Sequence, residues 1–157
     1  MKVTLLAIGK TTDSYLLEGI SKYVQRLKHY TSFQILELPE LKNTKSLSQE
    51  QQKAKEAILI LKNITNADYV ILLDEKGKEP SSVGFSALLN KKMVGGVQHV
   101  VFIIGGPYGF DDTIYARANE QLALSKMTFS HQMVRLFFVE QLYRAYTILK
   151  GEPYHHQ

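Results

Sequence analysis

The chain is predicted to fold as an α/β protein, a parallel sheet flanked by helices, and three observations predict it. Apolar runs of strand length alternate with amphipathic stretches of helix length along the whole sequence. Two of those runs, Tyr69–Asp74 (YVILLD) and His99–Ile104 (HVVFII), are nearly unbroken, as parallel strands covered on both faces are. Turn formers such as Pro39, Pro80 and the pair Gly95-Gly96 fall between the runs. The sequence has 157 residues and no internal repeat, low-complexity tract or linker, so one domain over residues 1–157 is expected.

Val3–Ile8 reads as the first strand. From Asp13 to His29, the residues Leu16, Ile20, Tyr23, Val24 and Leu27 share one helix face, with Thr12 or Asp13 as the cap. Phe33–Leu38 alternates and stops at Pro39, a second strand. The polar segment 40–47 reads as a mobile loop. Ser48 and Gln51 have capping-box spacing and open a helix whose apolar positions are Ala54, Ala57, Ile58 and Leu61. Tyr69–Asp74 is the third strand, residues 75–80 a turn, and Ser81 or Ser82 opens a helix to about Met93. After the fourth strand, His99–Ile104, Asp111-Asp112 caps a helix towards Arg117. The final helix runs from Val134 to Lys150, with a narrow polar sector at Glu140, Arg144 and Thr147. Its apolar arc exceeds the ~100° that a helix on one core needs. A homodimer packed partly through this helix is the preferred expectation, a central helix of a monomer the alternative.

Composition narrows the function. With no cysteine, disulfides, thiolate metal sites and a cysteine nucleophile are excluded. A net charge of +4 favours an anionic partner only mildly, because the lysines are scattered. No apolar run approaches the ~18 residues of a membrane span. The Val3–Ile8 run is too short for a secretory signal, so a cytoplasmic location without membrane contact is expected.

The chemistry-bearing segments crowd into the last third. Gly105-Gly106-Pro107-Tyr108-Gly109 follows a strand, where ligands of open α/β sheets gather, and Leu73-Asp74 ends another strand at the same rim. The glycines suit either a turn with positive φ or a close backbone approach to a ligand. The turn is neither G-x-G-x-x-G nor a P-loop. The segment Leu122–Phe129 suits either a short edge strand or a pocket loop whose Leu124, Met127 and Phe129 sandwich a heterocycle. Glu140 and Arg144 are spaced for an intrahelical ion pair. Arg135 falls inside the apolar arc, where it must snorkel, meet a carboxylate of a partner subunit, or face a ligand phosphate. His155 and His156 are neighbours that do not share one metal easily, so a frayed tail is the simple reading. Two adjacent carboxylates at Asp111-Asp112 point apart, so no metal is expected.

Five motifs in order carry a resemblance. They are Leu73-Asp74-x-x-Gly77-Lys78, Ile104-Gly105-Gly106-Pro107-x-Gly109, Leu124-Ser125-x-x-Thr128-x-x-His131-x-x-Val134-Arg135, Glu140-x-Leu142-Tyr143-Arg144-Ala145 and Pro153-Tyr154-His155. Together they resemble the ribosomal RNA large subunit methyltransferase H family, the small single-domain branch of the SPOUT methyltransferases, over the whole chain. The resemblance implies a C-terminal trefoil knot, which periodicity does not reveal and which is rare among folds. It also implies a homodimer, an S-adenosylmethionine pocket, and methylation of N3 of a pseudouridine in 23S rRNA on the assembled ribosome. Cofactor contacts are then expected at Leu73, Gly105, Leu124, Ser125, Lys126, Met127, Thr128 and Phe129. Arg144 and Arg135 are expected to meet phosphate or the developing imide charge. Tyr154 and His155 would order over the base, His155 as candidate proton acceptor. The alternatives are a SPOUT methyltransferase for another RNA nucleotide and a non-catalytic ribosome-binding protein.

Overall fold

The computed structural model describes residues 1–156. Five strands, β1 (Lys2–Ile8), β2 (Phe33–Leu38), β3 (Tyr69–Lys78), β4 (His99–Ile104) and β5 (Glu120–Leu122), form one sheet in the order β2-β1-β4-β3-β5. Every neighbouring pair is parallel. The helices are α1 (Ser14–Leu27), α2 (Gln49–Leu61), α3 (Ser82–Val94), α4 (Asp112–Arg117) and α5 (Met133–Leu149). A single 3-10 turn, Thr44–Ser46, breaks the 40–47 loop.

Alternate strand residues point to opposite faces. Val100, Phe102 and Ile104 of β4 pack with Leu16, Phe85, Phe138 and Leu142 from α1, α3 and α5. Val101 and Ile103 turn to the other face, against Ala57 and Ile60 of α2 and Ile114 of α4. Central strands are therefore covered on both sides, which is why β4 reads as an unbroken apolar run. No helix among the described residues is long and apolar enough to cross a membrane.

Local signals set the helix starts. Ser48 accepts from the Gln51 N–H at 3.1 Å while Gln51 Oε1 accepts from the Ser48 N–H at 2.9 Å, a complete capping box. Ser81 caps α3 and Asp111 caps α4. At α1 the expected cap does not form: Asp13 has the cap position without a side-chain bond, and the Thr12 N–H donates to Gln132 Oε1 at 2.9 Å.

Three further expectations are corrected. The buried face of α2 is Glu56, Ala57 and Ile60, whereas Ile58 is 58% and Leu61 38% exposed. Strand β3 does not end at Asp74; it shifts register and resumes, so that Leu73 and Lys78 both pair with Leu122. Gly77 permits this passage, because a Cβ there would lie 2.6 Å from the Gln121 carbonyl carbon. Thr147 of α5 is fully buried rather than polar surface, since its hydroxyl donates to the Arg144 carbonyl at 2.6 Å. Helix α5 packs on the sheet with α1 and α3, so most of its apolar arc is covered within the chain. Phe137 is left 42% exposed.

Candidate active site

The register shift of β3 and the carboxyl ends of β4 and β5 open into a cavity of ≈ 390 Å³. Its walls are Leu73–Lys76, the turn Ile104–Phe110, Tyr115, and the loop from Leu122 to His131 up to Val134 of α5. Of the predicted cofactor contacts, Leu73, Gly105, Leu124, Ser125, Met127, Thr128 and Phe129 line it; Lys126 does not and is exposed. Residues 123–129 form loop rather than strand, because β5 ends at Leu122. Within this loop the Met127 N–H donates to Ser125 Oγ at 3.0 Å, and the Phe129 ring packs on Phe137 at 4.9 Å between centroids.

Both ends of the pocket loop are anchored. At its start the Ala123 N–H donates to the Lys78 carbonyl at 2.8 Å. At its end Arg135, 1% exposed, uses its whole guanidinium inside the chain. Nε donates to His131 O at 3.0 Å, and Nη2 to Ile8 O at 3.0 Å. Nη1 donates to Gly9 O at 2.9 Å, Thr11 Oγ1 at 3.0 Å and Glu37 Oε2 at 3.1 Å. Gln132 adds a bond from Nε2 to Lys10 O at 3.0 Å. Arg135 is thus a clamp between the loop and the ends of β1 and β2, with its donors taken up inside the chain rather than set against the cavity.

The cavity also holds a fixed carboxylate. Tyr115 donates its hydroxyl to Asp74 Oδ2, and the Lys76 N–H donates to Oδ1 at 3.0 Å. Burial, then the bond to Asp74, raises the Tyr115 hydroxyl well above its ordinary range, so it stays a donor. Tyr115 was missed in the sequence, although its place on the short helix after the glycine turn is the signal that marks it.

The tail residues form a second cluster. Arg144 Nη2 donates to Glu140 Oε1 at 2.5 Å, as the spacing predicted. Tyr154 donates to the same oxygen at 2.9 Å, lies 3.3 Å from the Tyr23 hydroxyl, and carries the Arg144 guanidinium 4.8 Å from its ring centroid. Burial, followed by bonds to Tyr23 and Glu140, pushes the Tyr154 hydroxyl far up. His155 Nδ1 lies 3.0 Å from Arg144 Nη1. Arginine only donates, so Nδ1 supplies the lone pair and Nε2 carries the proton. The tail up to His155 is therefore docked on α5 and not frayed. His155 Nε2 and Arg144 Nε are both buried without an acceptor among the described residues.

Arg144, Tyr154 and His155 come together, but not at the cavity. Val134, which lines it, and Arg144 are ten residues apart on α5, about 15 Å along the helix axis. Among the described residues no group of three or more His, Asp and Glu could hold a metal ion.

A sheet whose carboxyl rim, glycine turn and anchored second loop enclose one cavity is the architecture of a nucleotide-type ligand site, and the family comparison agrees. The chain belongs to the SPOUT methyltransferase family, whose profile, described as predicted SPOUT methyltransferase, matches residues 1–155. Among its relatives, ribosomal RNA large subunit methyltransferase H of Parabacteroides distasonis is 54% identical over 157 residues, covering 100% of both chains. The proteins of the same name from Flavobacterium johnsoniae and Phocaeicola vulgatus are each 57% identical over 157 residues, again covering 100% of both.

Proposed function

We propose that this chain is an S-adenosylmethionine-dependent methyltransferase of ribosomal RNA, acting as a homodimer in the cytoplasm on N3 of a pseudouridine in 23S rRNA within the assembled ribosome. The observation that carries the reading is the ≈ 390 Å³ cavity between the Gly105–Gly109 turn and the Leu124–Phe129 loop, in a chain of this family. Its shape and lining fit an adenosine-bearing cation. Leu73, Leu124 and Phe129 offer apolar walls for a heterocycle, Gly105 a close backbone edge, and Asp74 a fixed acceptor. When bound, the cofactor supplies an electrophilic sulfonium methyl group.

The chain's own work is positioning and charge stabilisation. Reaction at an imide nitrogen needs that N–H to lose its proton, and negative charge then spreads to the two flanking carbonyl oxygens. Arg144 Nε and His155 Nε2 are donors without acceptors, suited to that charge or to a phosphate once the tail turns outward. Once the tail turns outward, the Nδ1 lone pair of His155 is released from Arg144, which makes His155 the candidate acceptor of the N3 proton. Tyr154 would stack over the base, and Arg135 is a positioning residue that fixes the pocket loop.

A separation of about 15 Å along α5 keeps cavity and cluster apart in one protomer. A second copy that brings its cluster to the first copy's cavity removes that difficulty. The exposed apolar side chains Tyr108, Met127 and Phe137 beside the cavity supply surface for such an association. The same reading takes the C-terminal third as a trefoil knot, on the strength of the family membership.

The test is transfer of a labelled methyl group from S-adenosylmethionine to unmodified 70S ribosomes, to deproteinised 23S rRNA and to tRNA. Incorporation into ribosomes above the other two is expected. Preference for tRNA would mean another target nucleotide, and no transfer to any RNA would leave a non-catalytic ribosome-binding protein.

A further inference from the structure

Among the described residues two charged side chains are buried, Arg135 and Glu56, and they are treated differently. Every group on Arg135 has an acceptor. Glu56 on α2 is 4% exposed, yet its Oε1 has no hydrogen-bond partner among the described residues. A buried carboxyl with an empty acceptor lowers the stability of the fold, and a hydrocarbon of the same size would not. Residues kept against that cost concentrate at functional sites.

The location of Glu56 says what it serves. Its carboxyl lies directly behind the cavity's glycine turn: a Cβ added to Gly106 would sit 2.6 Å from Glu56 Oε1. Glycine at position 106 lets the turn and the Glu56 carboxyl lie in direct contact, since any side chain there would displace the acid. A Cβ at Gly105 would touch the Phe110 ring at 3.1 Å, and Phe110 packs in the same cluster as Ala57 and Ile60 of α2. The turn thus rests on an aromatic ring and a carboxyl, with the cavity in front. Pro107 has no N–H, so the N–H groups of Gly106 and Tyr108 are the donors this arm of the turn can offer. Gly106 is engaged with Gly109 in an antiparallel bridge, and the Tyr108 N–H has no partner among the described residues.

Resting on the cofactor reading above, we infer that Glu56 is a positioning residue for the cofactor. It props the Gly105–Gly109 turn from behind the sheet, and its free oxygen accepts a turn N–H in the ligand-bound arrangement. Burial raises its carboxyl above the ordinary range, in keeping with a group that has no cation beside it. The role explains why α2, on the sheet face away from α5, carries an acid on its apolar side.

The experiment compares wild type, Glu56→Gln and Glu56→Leu by calorimetric titration with S-adenosylhomocysteine, with thermal unfolding of the unliganded proteins beside it. Glu56→Leu is expected to match or exceed wild type in Tm yet bind the ligand about tenfold more weakly, the weight of one well-placed hydrogen bond. Glu56→Gln, which keeps shape and an acceptor, is expected to restore affinity to within about threefold. In methyl transfer the loss should appear in KM for the cofactor, with kcat at saturation unchanged. Unchanged affinity in Glu56→Leu overturns the inference and leaves the cofactor reading intact. A parallel fall of Tm and affinity in both variants also overturns it, making Glu56 merely structural. Absence of binding by wild type overturns the cofactor reading itself.

Discussion

Replacing Arg135 by methionine separates scaffold from chemistry, because methionine fills the space of the arginine stem and removes only the donors. Three buried or partly buried carbonyls, those of Ile8, Gly9 and His131, lose a charged donor, as does Thr11 Oγ1. The ion pair to Glu37 contributes little of this, since that carboxylate is 33% exposed and water screens it. Orphaning several acceptors around a fully buried cation site is expected to cost about 3–5 kcal/mol, the range for breaking buried charged networks. A domain of this size has about 5–15 kcal/mol in total, so the variant should fold but melt roughly 10 °C lower. Urea unfolding followed by circular dichroism should show a lower midpoint with an unchanged slope. If Arg135→Met loses less than about 1 kcal/mol while methyl transfer disappears, the guanidinium contacts substrate and the clamp argument is wrong.

Three more outcomes follow from the same geometry. Gly77→Ala forces a methyl group onto the Gln121–Leu122 backbone, which cannot yield as a side chain would; a loss of about 1–3 kcal/mol, or failure to fold, should appear in the same urea titration. The raised carboxyl of Glu56 makes the folded state bind more protons than the unfolded one. Its contribution is therefore full below the ordinary value of 4.5 and is lost as pH rises through the raised value, so Glu56→Gln should gain on wild type between acid and neutral pH. A stability difference independent of pH would refute that. Mixing Arg144→Ala subunits with Leu124→Glu subunits, each inactive alone, should recover roughly a quarter of wild-type turnover if each site combines one subunit's cavity with the other's Arg144. No recovery would put both halves of the site in one protomer.

What the sequence disclosed was what short-range physics determines. Strand β4 was legible as an apolar run, and the starts of α2, α3 and α4 from their capping residues, because a cap acts over three positions. The walls of the cavity were largely legible too, since a glycine turn after a strand and the rim of a parallel sheet are local features. What escaped depends on partners distant in the chain. Arg135 stood out as misplaced, but its acceptors at positions 8, 9, 11 and 37 are about a hundred residues or more away, so its role could not be read from its own helix. Thr147 was misassigned because a hydroxyl that bonds its own helix carbonyl behaves as an apolar group. On α2 the choice of Ile58 and Leu61 over Glu56 followed hydropathy, whereas the helix is rotated to set an acid behind Gly106. The resumption of β3 beyond Asp74 needs a partner, β5, that pairs twice with one residue.

Identifying the product decides whether this chain methylates a pseudouridine of 23S rRNA. Ribosomes lacking the modification would be incubated with the protein and S-adenosylmethionine, and the 23S rRNA digested to nucleosides for mass spectrometry. N3-methylpseudouridine should appear in wild-type reactions and be strongly reduced with Arg144→Ala. A methylated nucleoside of any other kind, or none from ribosomes that a positive control shows to be competent, would contradict it.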